Sequence, residues 1–186
     1  MYQRTIVEER GKNAVVMDVF SKLVQERIIF IDDVIDDELA NGVIAQMLYL
    51  DSVSTDPISI YINSPGGSVY SGLAIFDVAH LIKSPIKTIC VGLAASMGAI
   101  LMLVGTERYA TKHSRLMLHQ PMGGVQGQAT DIRITSREID KLETELYQII
   151  ANITGKELDQ VRKDCDRDYW LTTEEALNYG LLTKVL

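Results

Sequence analysis

An α/β domain on a largely parallel sheet is predicted by three features of the sequence. Short apolar runs rich in β-branched residues recur at residues 28–31, 58–62, 86–92 and 114–119, with segments of helical apolar period between most of them. Strand, helix and strand at this spacing read as right-handed crossovers on a parallel sheet. The chain has 186 residues, 47% apolar and 23% charged, which suits one core-forming domain and is too apolar for disorder.

Taken in order, Val16, Val19, Phe20, Leu23 and Val24 fall at i, i+3, i+4, i+7 and i+8, the face of a short helix. The run Ile28-Ile29-Phe30-Ile31 is too short for a helix and suits a buried strand. Asp36, Asp37 and Glu38 open the next helix, where acidic groups complement the N-terminal dipole, and Leu39, Val43, Ile44, Met47 and Leu48 form its expected core face. The strand at 58–62 runs into Asn63-Ser64-Pro65-Gly66-Gly67-Ser68, a dense turn signal. A helix through Leu73, Phe76, Ala79 and Ile82 ends at Pro85. A strand at 86–92, an apolar helix at 94–104 and a strand at 114–119 follow. Residues 120–130, with Gly123, Gly124 and Gly127, break the pattern. A long helix then carries Ile139, Leu142, Leu146, Ile149, Ile150 and Ile153 on one face. Thr172 and Glu175 make a capping box for a last helix closed by Gly180, before a short strand at 181–186.

Several function classes are excluded. Net charge is −7 and no Lys/Arg cluster tracks a phosphate backbone, so nucleic acid is not expected as a partner. Cys90 and Cys165 make neither a disulfide framework nor a metal motif, which fits a reducing compartment, and no metal site is expected. The opening MYQRTIVEERGK is charged and predicts no signal peptide. The uncharged stretch 88–106 has Gly92, Ala94, Ala95, Ser96, Gly98 and Ala99 at its centre, so it reads as buried strand, tight turn and buried helix rather than a membrane span.

Parallel strands gather their C-terminal ends on one edge, where ligands bind. Three turns meet there: Pro65-Gly66-Gly67, Ala95-Ser96-Met97-Gly98, and the strand end at His119. A serine hydroxyl needs a neighbouring base to become a nucleophile, and His119 is the candidate. The amide of Met97, at a helix start, and that of Gly67, in a turn without Cβ, are candidate donors to an oxyanion. Each element also has an ordinary role: most serines cap or solvate, and a double glycine makes a tight turn or a phosphate cradle. No lysine follows the glycines and no G-x-G-x-x-G occurs, so a nucleotide site is weakly supported. His80 falls in a helix and His113 in a polar connection. Among 25 acidic residues, Asp164, Asp166 and Asp168 all qualify as a third member, and spacing does not choose between them.

These pieces resemble the proteolytic subunits of the ATP-dependent Clp protease, serine peptidases of the crotonase-like fold, in which ββα/βαβ units repeat and a handle helix protrudes. The resemblance runs from about Asp18 to Leu186. It rests on Asp18-Val19-Phe20-Ser21-Lys22-Leu23, Glu26-Arg27-Ile28-Ile29-Phe30, Tyr61-Ile62-Asn63-Ser64-Pro65-Gly66-Gly67, Ala94-Ala95-Ser96-Met97-Gly98, His119-Gln120-Pro121, Gln126-Gly127-Gln128-Ala129-Thr130-Asp131-Ile132 and Asp166-Arg167-Asp168. It implies one peptidase domain over residues 1–186, with an axial segment at 1–17 and a handle region at about 120–154. It implies Ser96 as nucleophile, His119 as base, Asp168 as the orienting carboxylate, and Gly67 and Met97 as the oxyanion hole. Gly123, Gly124, Val125, Gln126 and Gly127 match a substrate-lining strand that pairs with extended peptide through main-chain bonds. Asp166 and Arg167 match a ring–ring contact. In the family, seven-membered rings stack through their handles into a chamber of fourteen subunits, fed with unfolded protein by an AAA+ Clp unfoldase in the cytoplasm. The resemblance implies that the unfoldase uses the ATP and that this chain needs no cofactor.

The unfoldase-docking pocket implied by the resemblance keeps Tyr61, Leu81, Ile89, Val91, Tyr109 and Leu186. Ser59 and Thr111 stand where larger apolar residues are expected, no short tail follows Leu186, and the segment Lys12-Asn13-Ala14-Val15-Val16-Met17 is about two residues longer than the family spacing. Weaker unfoldase docking is expected from the smaller side chains at Ser59 and Thr111. A paralogous ring subunit that works beside a sister subunit is the alternative. An acyl-coenzyme A hydratase or isomerase of the crotonase fold is a further one, for which Ser96 and His119 would be surplus.

Overall fold

The computed structural model describes residues 5–10 and 13–186. β1 (Thr5–Arg10) and β2 (Asn13–Asp18) form an antiparallel hairpin. The helix face expected from Val16 is therefore cut short, because Val16 pairs with Val7 in the hairpin. Helix α1 (Val19–Gln25) starts only after Asp18, whose carboxylate accepts the Ser21 amide at 3.0 Å. Gly11 and Lys12, the latter the first residue of the segment expected to exceed the family spacing, lie outside the described residues.

β3 (Ile28–Ile31) leads to α2 (Asp37–Val53), opened as expected by Asp36, which caps the Leu39 amide. Its buried stripe is Ala40, Val43, Met47 and Leu50. Leu48, expected in the core, is 47% exposed because it lies one position off that stripe. β4 (Ile58–Ser64) follows, then α3 (Val69–Leu81), capped by Ser68. β5 (Ile86–Ala95) is longer than predicted and α4 (Met97–Met102) shorter, since Ala94 and Ala95 still pair with Leu116 and Met117. β6 (Glu107–Ala110), β7 (Arg115–Leu118) and the handle helix α5 (Ala129–Thr154) come next. They are followed by α6 (Leu158–Asp164), β8 (Tyr169–Thr172), α7 (Thr173–Tyr179) and β9 (Lys184–Val185). The Thr172–Glu175 capping box and the left-handed Gly180 that closes α7 are both formed.

The sheet runs β3-β4-β5-β6-β9. It forks at β5, whose first half pairs in parallel with β6 and whose last residues pair in parallel with β7. β8 adds antiparallel to β7, with Leu118 opposite Tyr169. The forked end is where β4, β5 and β7 all terminate, and the site assembles there. Helices α2, α3 and α4 cover the sheet with a core that includes Ile29, Ile31, Ile60, Ile62, Ile75 and Leu101. Only the later turns of α5 are buried in this core, through Leu146, Tyr147, Ile150 and Ala151, whereas Ile132 and Ile134 near its start are exposed. The strand expected at Gly123, Gly124, Val125, Gln126 and Gly127 is not formed. Residues 119–128 have no regular structure, since the glycines there favour strand poorly. Among the described residues no helix is long and apolar enough to cross a membrane.

Both cysteines are fully buried and unbridged. Burial raises the Cys90 thiol to about 11 and the Cys165 thiol to about 12, so thiolate, the reactive form, is scarce. At pH 8 a thiol reagent is expected to leave the folded protein unlabelled while titrating both cysteines in urea. Fast labelling of Cys165 in the folded protein would contradict this packing.

Candidate active site

Ser96 is the N-cap of α4 and has φ 53° and ψ −122°, a conformation that non-glycine residues adopt at a cost of about 1–3 kcal/mol. Three constraints hold it there. The strand before it is pinned in the sheet, the helix after it is wholly buried, and its own amide donates to the Met117 carbonyl of β7 at 2.8 Å. The hydroxyl is thereby presented at the fork, as in other strained strand-to-helix turns that expose a serine.

His119 lies one residue beyond β7. Its Nε2 is 2.8 Å from Ser96 Oγ, and its Nδ1 is 3.1 Å from Asp168 Oδ1. The imidazole is largely buried, with 11% of its side chain exposed, whereas the Asp168 side chain is 61% exposed. The other sequence candidates go elsewhere. Asp164 accepts from Tyr179 Oη and Gln160 Nε2. Asp166 lies 3.8 Å from the Arg167 guanidinium, and both of those side chains point into solvent. His80 bonds the Phe76 carbonyl within α3, and His113 is exposed. Three residues spread over 73 positions of the chain thus meet in one hydrogen-bonded line. The β7–β8 register accounts for the last step: continuing from the Leu118–Tyr169 pair places His119 opposite Asp168.

The glycine turn faces this line. A Cβ on Gly66 would sit 2.7 Å from Ser96 Cβ, 2.8 Å from the Ala95 carbonyl oxygen and 3.0 Å from the Met97 amide nitrogen, mostly backbone that has no room to yield. Gly66 and Gly67 both have positive φ. The turn is fastened from behind: the Gly66 carbonyl accepts the Ile35 amide, and the Ser68 amide donates to the Ile35 carbonyl. Ser64 Oγ accepts from the Gly66 amide and donates to the Asp33 carbonyl. The Ile35 bridge leaves the Gly67 amide unused. The Met97 amide lies in the first turn of α4, where a helix has no acceptor of its own. Of the glycine doublet, Gly66 makes the close approach to Ser96, and Gly67 is the one whose amide is the oxyanion candidate.

Beside Ser96 a narrow, mainly apolar recess opens between Met97, Ile100, Leu118, Leu146, Tyr147 and Ile150, with about 20 Å³ of space, close to the room one water needs. Tyr147, which no motif in the sequence singles out, is among them. Burial and the neighbouring Glu143 carboxylate raise the Tyr147 phenol well above its ordinary value, so it lines the recess as a neutral group. Of the docking candidates, Tyr61, Ile89 and Tyr109 stand in register across β4, β5 and β6, and Leu81 and Leu186 are exposed. Ile89 is buried within that row and offers a partner little surface of its own. Val91 is half-buried farther along β5. Among the described residues no group of His, Cys, Asp and Glu side chains has metal-ligand geometry.

The Clp protease family model matches residues 10–186. A relative from Bacteroides fragilis, "ATP-dependent Clp protease proteolytic subunit", is 56% identical over 186 residues, covering 97% of this chain and 89% of the relative. One of the same name from Porphyromonas gingivalis is 54% identical, covering 98% of this chain and 83% of its own. "ATP-dependent Clp protease proteolytic subunit 1" from Salinibacter ruber is 49% identical, covering 97% and 79%. With near-complete coverage by the family and its relatives, and a serine, a histidine and an aspartate in line at the sheet edge, this chain belongs to the Clp protease family.

Proposed function

We propose that the chain is a serine endopeptidase subunit that cuts unfolded polypeptide by acyl transfer through Ser96. The observation that carries this reading is the His119 ring, within hydrogen-bond distance of Ser96 Oγ on one nitrogen and of Asp168 on the other. Ser96 Oγ attacks the peptide carbonyl while His119 Nε2 takes its proton. Asp168 holds the ring and stabilises the imidazolium that forms. The negative oxygen of the tetrahedral intermediate turns toward the amides of Gly67 and Met97, each such donor contributing about 3 kcal/mol. His119 returns the proton to the leaving amine. Water, deprotonated by the same histidine, then releases the acyl group. The recess at Met97, Ile100 and Leu146 suits an apolar side chain of the substrate once it widens. The backbone of 123–127 is free to bond an extended peptide, and that mode reads main chain more than sequence. No cofactor takes part in these steps.

The exposed start of α5 supports assembly into stacked rings through the handles, with Asp166 and Arg167 at the ring contact, in a chamber acting in the cytoplasm on protein delivered by an ATP-dependent unfoldase. A fluorophosphonate is expected to label Ser96 alone. Ser96→Ala is expected to lower peptide hydrolysis by at least about 10³-fold while the assembled mass stays unchanged. Labelling elsewhere, or retained hydrolysis in Ser96→Ala, would sink the reading.

The docking face has an ionic row beside its apolar one. Ser59, Lys87 and Glu107 stand in register, with Lys87 Nζ 3.0 Å from Glu107, and Tyr109 Oη donates to the same carboxylate. The half-buried Ser59 adds little apolar area there, so docking of the hexameric unfoldase is expected to be weak. In a pull-down at micromolar concentration, Ser59→Leu with Thr111→Leu is expected to retain at least about tenfold more unfoldase than the native chain, from apolar area alone. Tight binding by the native chain would remove the idea.

A further inference from the structure

Gln120 follows His119 and has no part in the chemistry above. It makes two bonds to the segment that carries Asp168. Its amide donates to the Cys165 carbonyl at 2.7 Å, and its side-chain Nε2 donates to the Asp166 carbonyl at 2.7 Å. In the β7–β8 register it would stand opposite Arg167. It reaches past that position instead, so the Asp166 and Arg167 side chains are turned out, 69% and 84% exposed. Asp168 therefore hangs between two fixed points, the Leu118–Tyr169 pair on one side and the Gln120 clamp on the other. The clamp is anchored on a rigid base, because Cys165 is fully buried and its amide closes α6 on the Val161 carbonyl.

Asp168 needs this support. Its side chain is 61% exposed, and among the described residues its carboxylate makes one hydrogen bond, to His119. Side-chain packing does not place it, so the backbone must. The Asp166 carbonyl also accepts from Arg167 Nη1 at 2.8 Å, but that bond is local to the loop. The Gln120 side-chain bond spans 46 positions and ties the loop to the histidine's own strand. Pro121 favours extended backbone at Gln120, which keeps both donors aimed across the gap.

We infer that Gln120 is a positioning residue: its side-chain amide, donating to the Asp166 carbonyl, fixes the Asp168 loop against the strand end that holds His119. The inference rests on the reading of Ser96, His119 and Asp168 as the working triad. Gln120→Glu keeps the shape and loses the donor at neutral pH; Gln120→Met is a neutral counterpart that lacks the donor too. With a fluorogenic peptide, both variants in their assembled state are expected to lose roughly 10- to 100-fold in kcat, as small misplacements of catalytic groups do, with KM changed by less than about twofold. In an Asp168→Asn background the same substitutions are expected to cost less than about twofold more, because the clamp acts through that carboxylate. A kcat within about twofold of native in the assembled variants overturns the inference. So does a full additional loss in the Asp168→Asn background, or loss of the assembled mass in both variants. Fluorophosphonate labelling of the native chain separates the two levels. If Ser96 is not labelled, the triad reading fails first; if it is labelled and the Gln120 variants are unaffected, the clamp alone is wrong.

Discussion

The left-handed backbone at Ser96 is the constraint on which the site depends. A serine does not adopt φ 53° in isolation, so the surroundings must hold it. Here the Ser96 amide is bonded to the Met117 carbonyl on one side, and a fully buried helix begins on the other. The same bond ties the serine's turn to the strand that ends at His119, so the hydroxyl and the imidazole are placed by one piece of sheet. Neighbouring glycines clear the space this requires. At Gly72 a Cβ would lie 2.3 Å from Met97 Cγ, and at Gly66 it would strike the serine turn itself.

The fork in β5 explains why residues so distant in sequence converge. A single strand pairs first with β6 and then with β7, which brings the β7 end beside Ser96. The antiparallel β8 then carries Asp168 in, because the Leu118–Tyr169 pair sets the next residues of both strands face to face. Burial declines outward along this line. Ser96 sits on a buried turn, His119 is mostly enclosed, and Asp168 is open to solvent. The outermost member is thus the one whose position rests on main-chain bonds, and the loop bearing it also presents Asp166 and Arg167 to the outside. The handle has the same character: anchored by Leu146, Tyr147 and Ile150 at one end, with its first turns uncovered. Its anchored end also lines the recess beside Ser96, so a shift of α5 would change the room in that recess.

The larger elements were legible because their signals are local. Asp36 and Ser68 cap helices, Thr172 and Glu175 form their box, and the apolar stripe of α5 ends in the core. The elements that were missed depend on partners. Val16 has helical spacing from Val19 and Phe20, yet pairing with β1 claims it for a strand. Ala94 and Ala95 favour helix and are held in β5 by β7. β6 (Glu107-Arg108-Tyr109-Ala110) and β8 (Tyr169-Trp170-Leu171-Thr172) lack the isoleucine-rich run that marks the equally short β3. The site followed the same division. Ser96, His119 and the glycine turn could be gathered from the rule that parallel strands end on one edge. The choice among Asp164, Asp166 and Asp168 needed the β7–β8 register, a property of two strands. The Gly123–Gly127 stretch is irregular, with three glycines in five residues that favour strand poorly.

An experimentally determined structure of the assembled protein with a peptidyl boronate bound would test the central claim most directly. The account predicts boron bonded to Ser96 Oγ, one boronate oxygen between the amides of Gly67 and Met97, and the His119–Asp168 bond intact. A boronate on another residue, or an oxygen turned away from both amides while Ser96 kept its left-handed backbone, would contradict it.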